Sequence, residues 1–408
     1  MTATLRRLQE SQLSVQALAR LSSVCVFLLA SWADTPHLAL VAFQGVLLAI
    51  PFTMVEALVG RPLSAGIVPP FWHLESWAAR AAAVVTVPVG VVGFVAVSIA
   101  LPETGIVDRL LVTSPVLLQL PLEASFWVRA RTRTRRRANA VPQLVAVGTM
   151  LTAGAFAVAG MRLDVSSVPI QVLVLGWVVA TRLRAGPEQV RASPLRAVRI
   201  GAAYCTAAAI DLGYAVALPS FAGALAGPAA IVVLRAMDLA FGPFHVALSA
   251  TTREDVVGGR ASRFRTAPRA LTVVLLVSIS AALLAVPWMR GLLSADLARL
   301  GLAAVTLYCV YKAALMVSTW LSVRHMIRAA PRRFLVSAIG SRAVAFGSLA
   351  LAVLWVRSVE DLFLQLAACE LAVVAWYSLR SRTPAGGAPP VVAAVDSPGG
   401  RQPKQSID

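Results

Sequence analysis

Arg235 and Asp238 stand three residues apart inside one long apolar stretch, AGPAAIVVLRAMDLAFGPFHVALSA. At that spacing two side chains neighbour each other on one face of a helix, where opposite charges partly neutralise one another. Asp211, in the preceding apolar run, is a second available partner. Lys312 falls near the middle of a later run beside Tyr308 and Tyr311, and Arg342 and Arg20 lie toward one end of two others. Glu370 is near the centre of the last run, whereas Glu56 and Glu123 sit close to run ends, where snorkelling is cheap. A charge at bilayer mid-depth costs on the order of 2.5–3.5 kcal/mol on insertion scales, so such groups face a protein interior or a watery cavity. Cations there can hold a phosphate or diphosphate, and acids can pair with them or take part in ion coupling. Arg235, Lys312, Arg342, Asp211 and Asp238 therefore form the candidate substrate-binding set. For Arg20, Glu56 and Glu123 the reading preferred is pairing or snorkelling that only holds helices in place.

These residues must be carried by membrane-spanning helices. Of the 408 residues, 58% are hydrophobic and only 14% are charged, against soluble averages of about 45–50% and 25%. A helix needs ~20 apolar residues to cross a ~30 Å hydrocarbon core. The sequence offers twelve such runs, at approximately 15–32, 37–59, 80–101, 110–128, 141–160, 168–181, 200–218, 223–249, 270–287, 300–322, 335–356 and 363–379. The seventh and eighth are expected to join at a short Pro219-Ser220 turn. Pro88, Pro121, Pro228 and the Gly242-Pro243 pair interrupt runs and are expected to kink them.

Basic residues report the orientation, because cytoplasmic loops collect them. Alternate connections hold 28 of the 37 Lys and Arg on one side, including the run Arg129 to Arg137, and five on the other. The remaining four, Arg20, Arg235, Lys312 and Arg342, are intramembrane. Both termini are thus expected in the cytoplasm. Tryptophan supports the same sidedness, with Trp32, Trp288 and Trp355 at outer ends and Trp72, Trp77, Trp127, Trp320 and Trp376 at inner ends. Trp127 before Arg129–Arg137 and Trp320 before Arg324–Arg333 each close the fourth span of a half, a weak internal repeat. The expected division is a cytoplasmic N-terminus 1–14, a six-helix bundle 15–181, a basic linker 182–199, a second six-helix bundle 200–379 and a disordered tail 380–408. The Arg129–Arg137 run would attract anionic headgroups at about 1 kcal/mol per residue. Topology determination explains the run equally well.

Several chemistries are excluded. The four cysteines all lie within apolar runs, far from ligand spacing, so neither a disulfide framework nor a metal site is implied. No hydrolase elbow, phosphate-binding Gly loop or HExxH occurs, and the longest outer connection, Trp288 to Arg299, has about a dozen residues. An enzyme is the minority reading, and no cofactor is expected. The net charge of +18 belongs to loops facing the membrane and is not read as a nucleic-acid footprint.

The twelve-span, six-plus-six plan, the second span's end EALVGRPLSAG and the unit AAIDLGYAVALPSFAGALAGPAAIVVLRAMDLAFGPFHVALSA carry a resemblance. Together they resemble the lipid-linked oligosaccharide flippases, the O-antigen and polysaccharide-export branch of the multidrug/oligosaccharidyl-lipid/polysaccharide exporter superfamily. The resemblance implies two helical bundles around a central cavity, rocking between inward- and outward-open states. It implies a polyprenyl-diphosphate-linked glycan as cargo, with Arg235, Lys312 and Arg342 meeting the diphosphate. It further implies an inner or plasma membrane location, surrounding lipids as partners and contacts with glycan-assembly membrane proteins. The first outer loop, Ala33-Asp-Thr-Pro36, departs from the family in lacking a Gly. A twelve-span drug or small-molecule exporter is the alternative, and a glycan-assembly enzyme using an acid such as Asp296 is a further one. A major-facilitator carrier is disfavoured because GRPLSAGIVPP lacks that family's Gly…Asp-Arg…Gly-Arg pattern.

Overall fold

The computed structural model describes residues 11–33, 37–64, 67–69, 72–133, 135–181, 193–242, 246, 275, 278–328 and 331–382. The N-terminal segment through 10, linker residues 182–192, most of the connection between the eighth and ninth runs, and the tail from 383 lie outside them. Helices dominate and no β-strand occurs among the described residues. In chain order they are α1 Gln12–Trp32, α2 Leu38–Leu63, α3 Leu74–Ala100, α4 Ile106–Thr132, α5 Arg135–Val158 and α6 Val168–Ala180. After the short helix Pro194–Arg199 come α7 Ala202–Ala226 and α8 Pro228–Ala240. α9 covers 278–285, the short helices Pro287–Leu293 and Ala295–Ala298 follow it, and α10 Leu302–Arg328, α11 Pro331–Trp355 and α12 Val359–Arg382 come last. Ten of these are long and apolar enough to cross a membrane within the described residues. The two others, α8 and α9, are the described portions of the eighth and ninth runs. The chain is an all-helical, multi-pass membrane protein.

The turn between α7 and α8 is not where the sequence suggested. Helix α7 runs straight through Pro219-Ser220 and ends at Ala226. Proline removes one backbone bond from a helix interior, which a membrane helix tolerates when neighbouring groups take up the freed atoms. Beside the proline, the Ser220 hydroxyl donates to Val216 O at 2.8 Å and reaches Ala96 O of α3 at 3.4 Å, which ties α7 to its neighbour at that point. The break falls at Gly227, with φ +80° and ψ 174°, and Pro228 then opens α8 at its first turn instead of kinking it. That backbone region is open essentially to glycine alone, so Gly227→Ala is expected to cost about 1–3 kcal/mol, read as lowered thermal stability of the detergent-purified protein.

Packing ties the first six helices directly to the next ones. α1 lies against α5 and α2, α3 against α4, and α10 against α12. Across the two halves, α7 packs on α3 and α2, α8 packs on α2, and α11 and α12 back onto α7 and each other. Close approach is possible because small residues stand at the crossings. Gly201 faces the Leu58 backbone, where an added Cβ would come within 2.9 Å of both Cα and O. The stretch of α2 from Glu56 to Gly60 is a π-helical turn, and Gly60 takes the Trp127 ring of α4, 2.7 Å from where a Cβ would stand. That contact corrects the reading of the inner tryptophans as headgroup-facing. Trp72, Trp77 and Trp127 are buried packing residues, and the Trp77 indole donates to Ala197 O at 3.0 Å. Trp32, Trp288 and Trp355 at the outer ends are exposed, as an interfacial belt requires.

Candidate functional site

Helix α8 presents its two charges to different neighbours. Asp238 accepts an ion pair from Lys312 of α10 and a hydrogen bond from the Tyr308 hydroxyl at 2.8 Å. The Lys312 ammonium lies 5.3 Å and 5.1 Å from the ring centroids of Tyr308 and Tyr311, an arrangement in which the ring faces share its charge. Arg235, one turn earlier, donates instead to the Ser23 hydroxyl of α1, and its guanidinium lies against Gly45 of α2, where no Cβ could fit. Arg20 of α1 donates to the backbone carbonyl of Asp238. Around them Phe241, Tyr308 and Phe363 form a run of rings 5.9 Å and 4.9 Å apart.

The exposures are uneven in a way that bears on chemistry. Arg235 and Lys312 are 6% and 4% exposed, whereas the Asp238 side chain keeps 30% of its surface open. Among the described residues no carboxylate lies within ion-pair distance of Arg235 or Arg20. An ionised group buried without a counter-charge is expensive, and an anion arriving beside it recovers that loss.

A second ion pair joins α11 to α7. Arg342 of α11 donates through Nε to Asp211 of α7 at 2.7 Å, and its guanidinium lies 5.3 Å from the Tyr214 ring centroid. Asp211 keeps 42% of its side chain open. Glu370 of α12 is fully buried, takes the Ser318 hydroxyl on Oε1 and has no partner on Oε2. It lies within Coulombic range of Arg342 and Lys312, so the two pairs share one electrostatic neighbourhood.

The five sequence candidates stand on α7, α8, α10 and α11; Arg235 and Lys312 are buried, while Arg342, Asp238 and Asp211 are partly open. Their pairing differs from the expectation. Asp238 forms its ion pair with Lys312 and not with the Arg235 on its own helix, and Asp211 takes Arg342 rather than Arg235. Arg20, read as a snorkelling residue, belongs to the cluster. The signal for it was present, since Arg20 and Ser23 are three apart on α1 and so share a face. Gly45 and Ser318 had no such signal, because each matters only through a helix distant in sequence.

A separate charged knot holds the outer end of the first half. Arg162 meets Asp164 through two bonds, at 3.0 Å and 2.6 Å, and also meets Asp108 at the start of α4. Its hydrogen bonds to Asp164, and then to Asp108, hold the guanidinium above its already high ordinary pKa, against the opposing effect of burial. Gln44 of α2 donates to Val112 O at 3.2 Å and to Asp164 O. Because Asp164 is fully buried, Arg162→Gln is expected to cost about 1.5–3 kcal/mol, the worth of a hydrogen bond to a charged group. Thermal unfolding in detergent measures it.

No family model and no curated protein matches the sequence. Solved structures do match over nearly the whole chain. A structure described as the MATE multidrug transporter DinF-BH in complex with R6G has a TM-score of 0.62 at 13% identity, covering 92% of this chain and 94% of its own. An inward-facing multidrug resistance MATE family transporter of the MOP superfamily gives 0.61 at 12% identity, covering 90% and 94%. An outward-facing one gives 0.53 at 12% identity, covering 93% and 98%. At that level of identity the likeness is one of fold, and the chain has the fold of the MATE transporters of the MOP superfamily.

Proposed function

We propose that the protein exports a polyprenyl-diphosphate-linked oligosaccharide across the cell's inner or plasma membrane by alternating access. The observation that carries this reading is the mid-membrane cluster itself. Arg20, Arg235, Lys312 and Arg342 gather with Asp211, Asp238 and Glu370 from six helices, one cation more than acids, and Arg20 and Arg235 have no carboxylate in ion-pair contact among the described residues. A diphosphate entering beside Asp238 takes over the Lys312 ammonium and places an anion against Arg235, which has no carboxylate in ion-pair contact among the described residues. Exchanging an internal ion pair for a cargo contact changes which packing of α8 against α10 is favoured. A ligand can shift such an equilibrium only through its differential contacts with the two states. The MATE-like fold supports the rocking of two halves that this requires.

A drug exporter is the second reading, favoured by one specific feature. The open members of the two ion pairs are the acids, Asp238 and Asp211, while the cations lie behind them, so a cationic drug would meet carboxylates first. The structural neighbours described as multidrug transporters fit that reading equally well.

Reconstitution into vesicles separates the two. The protein is expected to move a fluorescent polyprenyl-diphosphate-linked sugar between leaflets and to leave a cationic dye where it is. Dye movement without movement of the lipid-linked sugar would replace the first reading by the second.

A further inference from the structure

Away from the mid-membrane cluster, a cavity of about 370 Å³ opens on the Arg-rich face, where the end of α4, the start of α5 and the end of α6 meet. Arg129, Arg133, Arg136, Arg137, Trp177 and Thr181 line it. We propose that this cavity binds the phosphate group of an anionic membrane-lipid headgroup. The site is independent of the cargo reading, for it lies wholly within α4, α5 and α6.

Arg129 forms its floor. Only 2% exposed, it donates to Thr181 Oγ1 at 2.7 Å and Val178 O at 3.3 Å, and its guanidinium lies 4.8 Å from the Trp177 ring centroid. Among the described residues no carboxylate is within ion-pair distance of Arg129, Arg133, Arg136 or Arg137, and Glu75 acts on Arg129 only at longer range. A guanidinium so deeply buried without an acid against it is a group in want of an anion. The C-terminal end of α6 would by itself repel one, since its last carbonyls carry partial negative charge. Two carbonyls at that end are already taken: Arg129 donates to Val178 O, and Arg133 donates to Thr181 O just beyond the helix at 2.8 Å. The cavity is left presenting donors, with Arg136 and Arg137 exposed at its mouth. Guanidinium forks suit phosphate oxygens better than any other side chain.

The same surface argues for a lipid as the source of the phosphate. Helix α6 exposes Val172, Leu173 and Val179 together with the partly open ring of Trp177. Acyl chains lying along that wall place the headgroup at the Arg cluster, and basic pockets between spans on the cytoplasmic side are suited to anionic headgroups. A free phosphate would gain nothing from the wall.

The test is native mass spectrometry of the full chain, titrated with phosphatidylglycerol or phosphatidylcholine. The wild type is expected to retain phosphatidylglycerol selectively. Arg136→Gln with Arg137→Gln should lower that retention by about thirtyfold, at about 1 kcal/mol per arginine, while thermal stability is unchanged because both side chains are exposed. Arg131→Gln, exposed and outside the cavity, is expected to behave as the wild type. A loss no greater in the double variant than in Arg131→Gln would overturn the proposal in favour of diffuse surface charge. Excess inorganic phosphate should leave the lipid bound, and its displacement by phosphate would overturn the assignment to a headgroup.

Discussion

Lys312→Met is expected to destabilise the protein by on the order of 3–5 kcal/mol, toward the lower end, and to abolish export. Methionine keeps most of the stem's volume but removes the ammonium, so Asp238 loses the cation that compensates its charge at membrane mid-depth. The open third of the Asp238 side chain moderates the loss, since part of the carboxylate remains free to contact water or cargo. Asp238→Asn alone should be comparably harmful, because it strands the buried ammonium over the two tyrosine rings. The double variant, Lys312→Met with Asp238→Asn, removes both charges and is expected to recover most of the stability and none of the export. Thermal unfolding of the four proteins in detergent closes the cycle. Additive losses in the double variant would mean that the two groups are not coupled.

Arg235→Met is expected to act in the opposite sense on stability. Arg235 is as deeply buried as Lys312, yet among the described residues it has no carboxylate in ion-pair contact, only the Ser23 hydroxyl. Removing a buried charge that has no carboxylate in ion-pair contact is neutral or favourable, so thermal stability should hold or rise by about 1 kcal/mol. Export should nevertheless fall roughly 10- to 100-fold, the worth of one charge-assisted contact to a diphosphate. The pair of readouts is decisive. A variant as stable as the wild type that exports at the wild-type rate would remove Arg235 from the binding set. A variant that unfolds would show the guanidinium to be a structural tie to α1 and α2.

The contrast between these two cations shows where the sequence stopped being informative. That Arg235 and Lys312 had to be shielded from lipid was legible from their place within apolar runs, because the cost of exposing a charge to hydrocarbon does not depend on the fold. Which of them was paired was not legible. Helical spacing put Asp238 next to Arg235, but the ion pair that formed joins α8 to α10, whose residues are more than seventy positions apart. Local spacing states which groups can meet on one helix, and packing between helices decides which do. The Pro219-Ser220 turn failed for a related reason. Proline weakens one helical bond wherever it stands, yet α7 continues through Pro219, held against α3 there by the Ser220 hydroxyl, and the chain turned at Gly227 instead.

By itself, the sequence determined that this is an all-helical, multi-pass membrane protein with charges held at mid-depth. Its Arg distribution also set the expected sidedness. Both follow from transfer free energies that each segment carries with it. Only the tertiary structure decided that Arg20 joins the cluster, that the acids of its two ion pairs are more open than their cations, and that Arg129, among the described residues, has no acid in ion-pair contact and lines a pocket of its own. Those are properties of the space between helices, and no single helix contains that information.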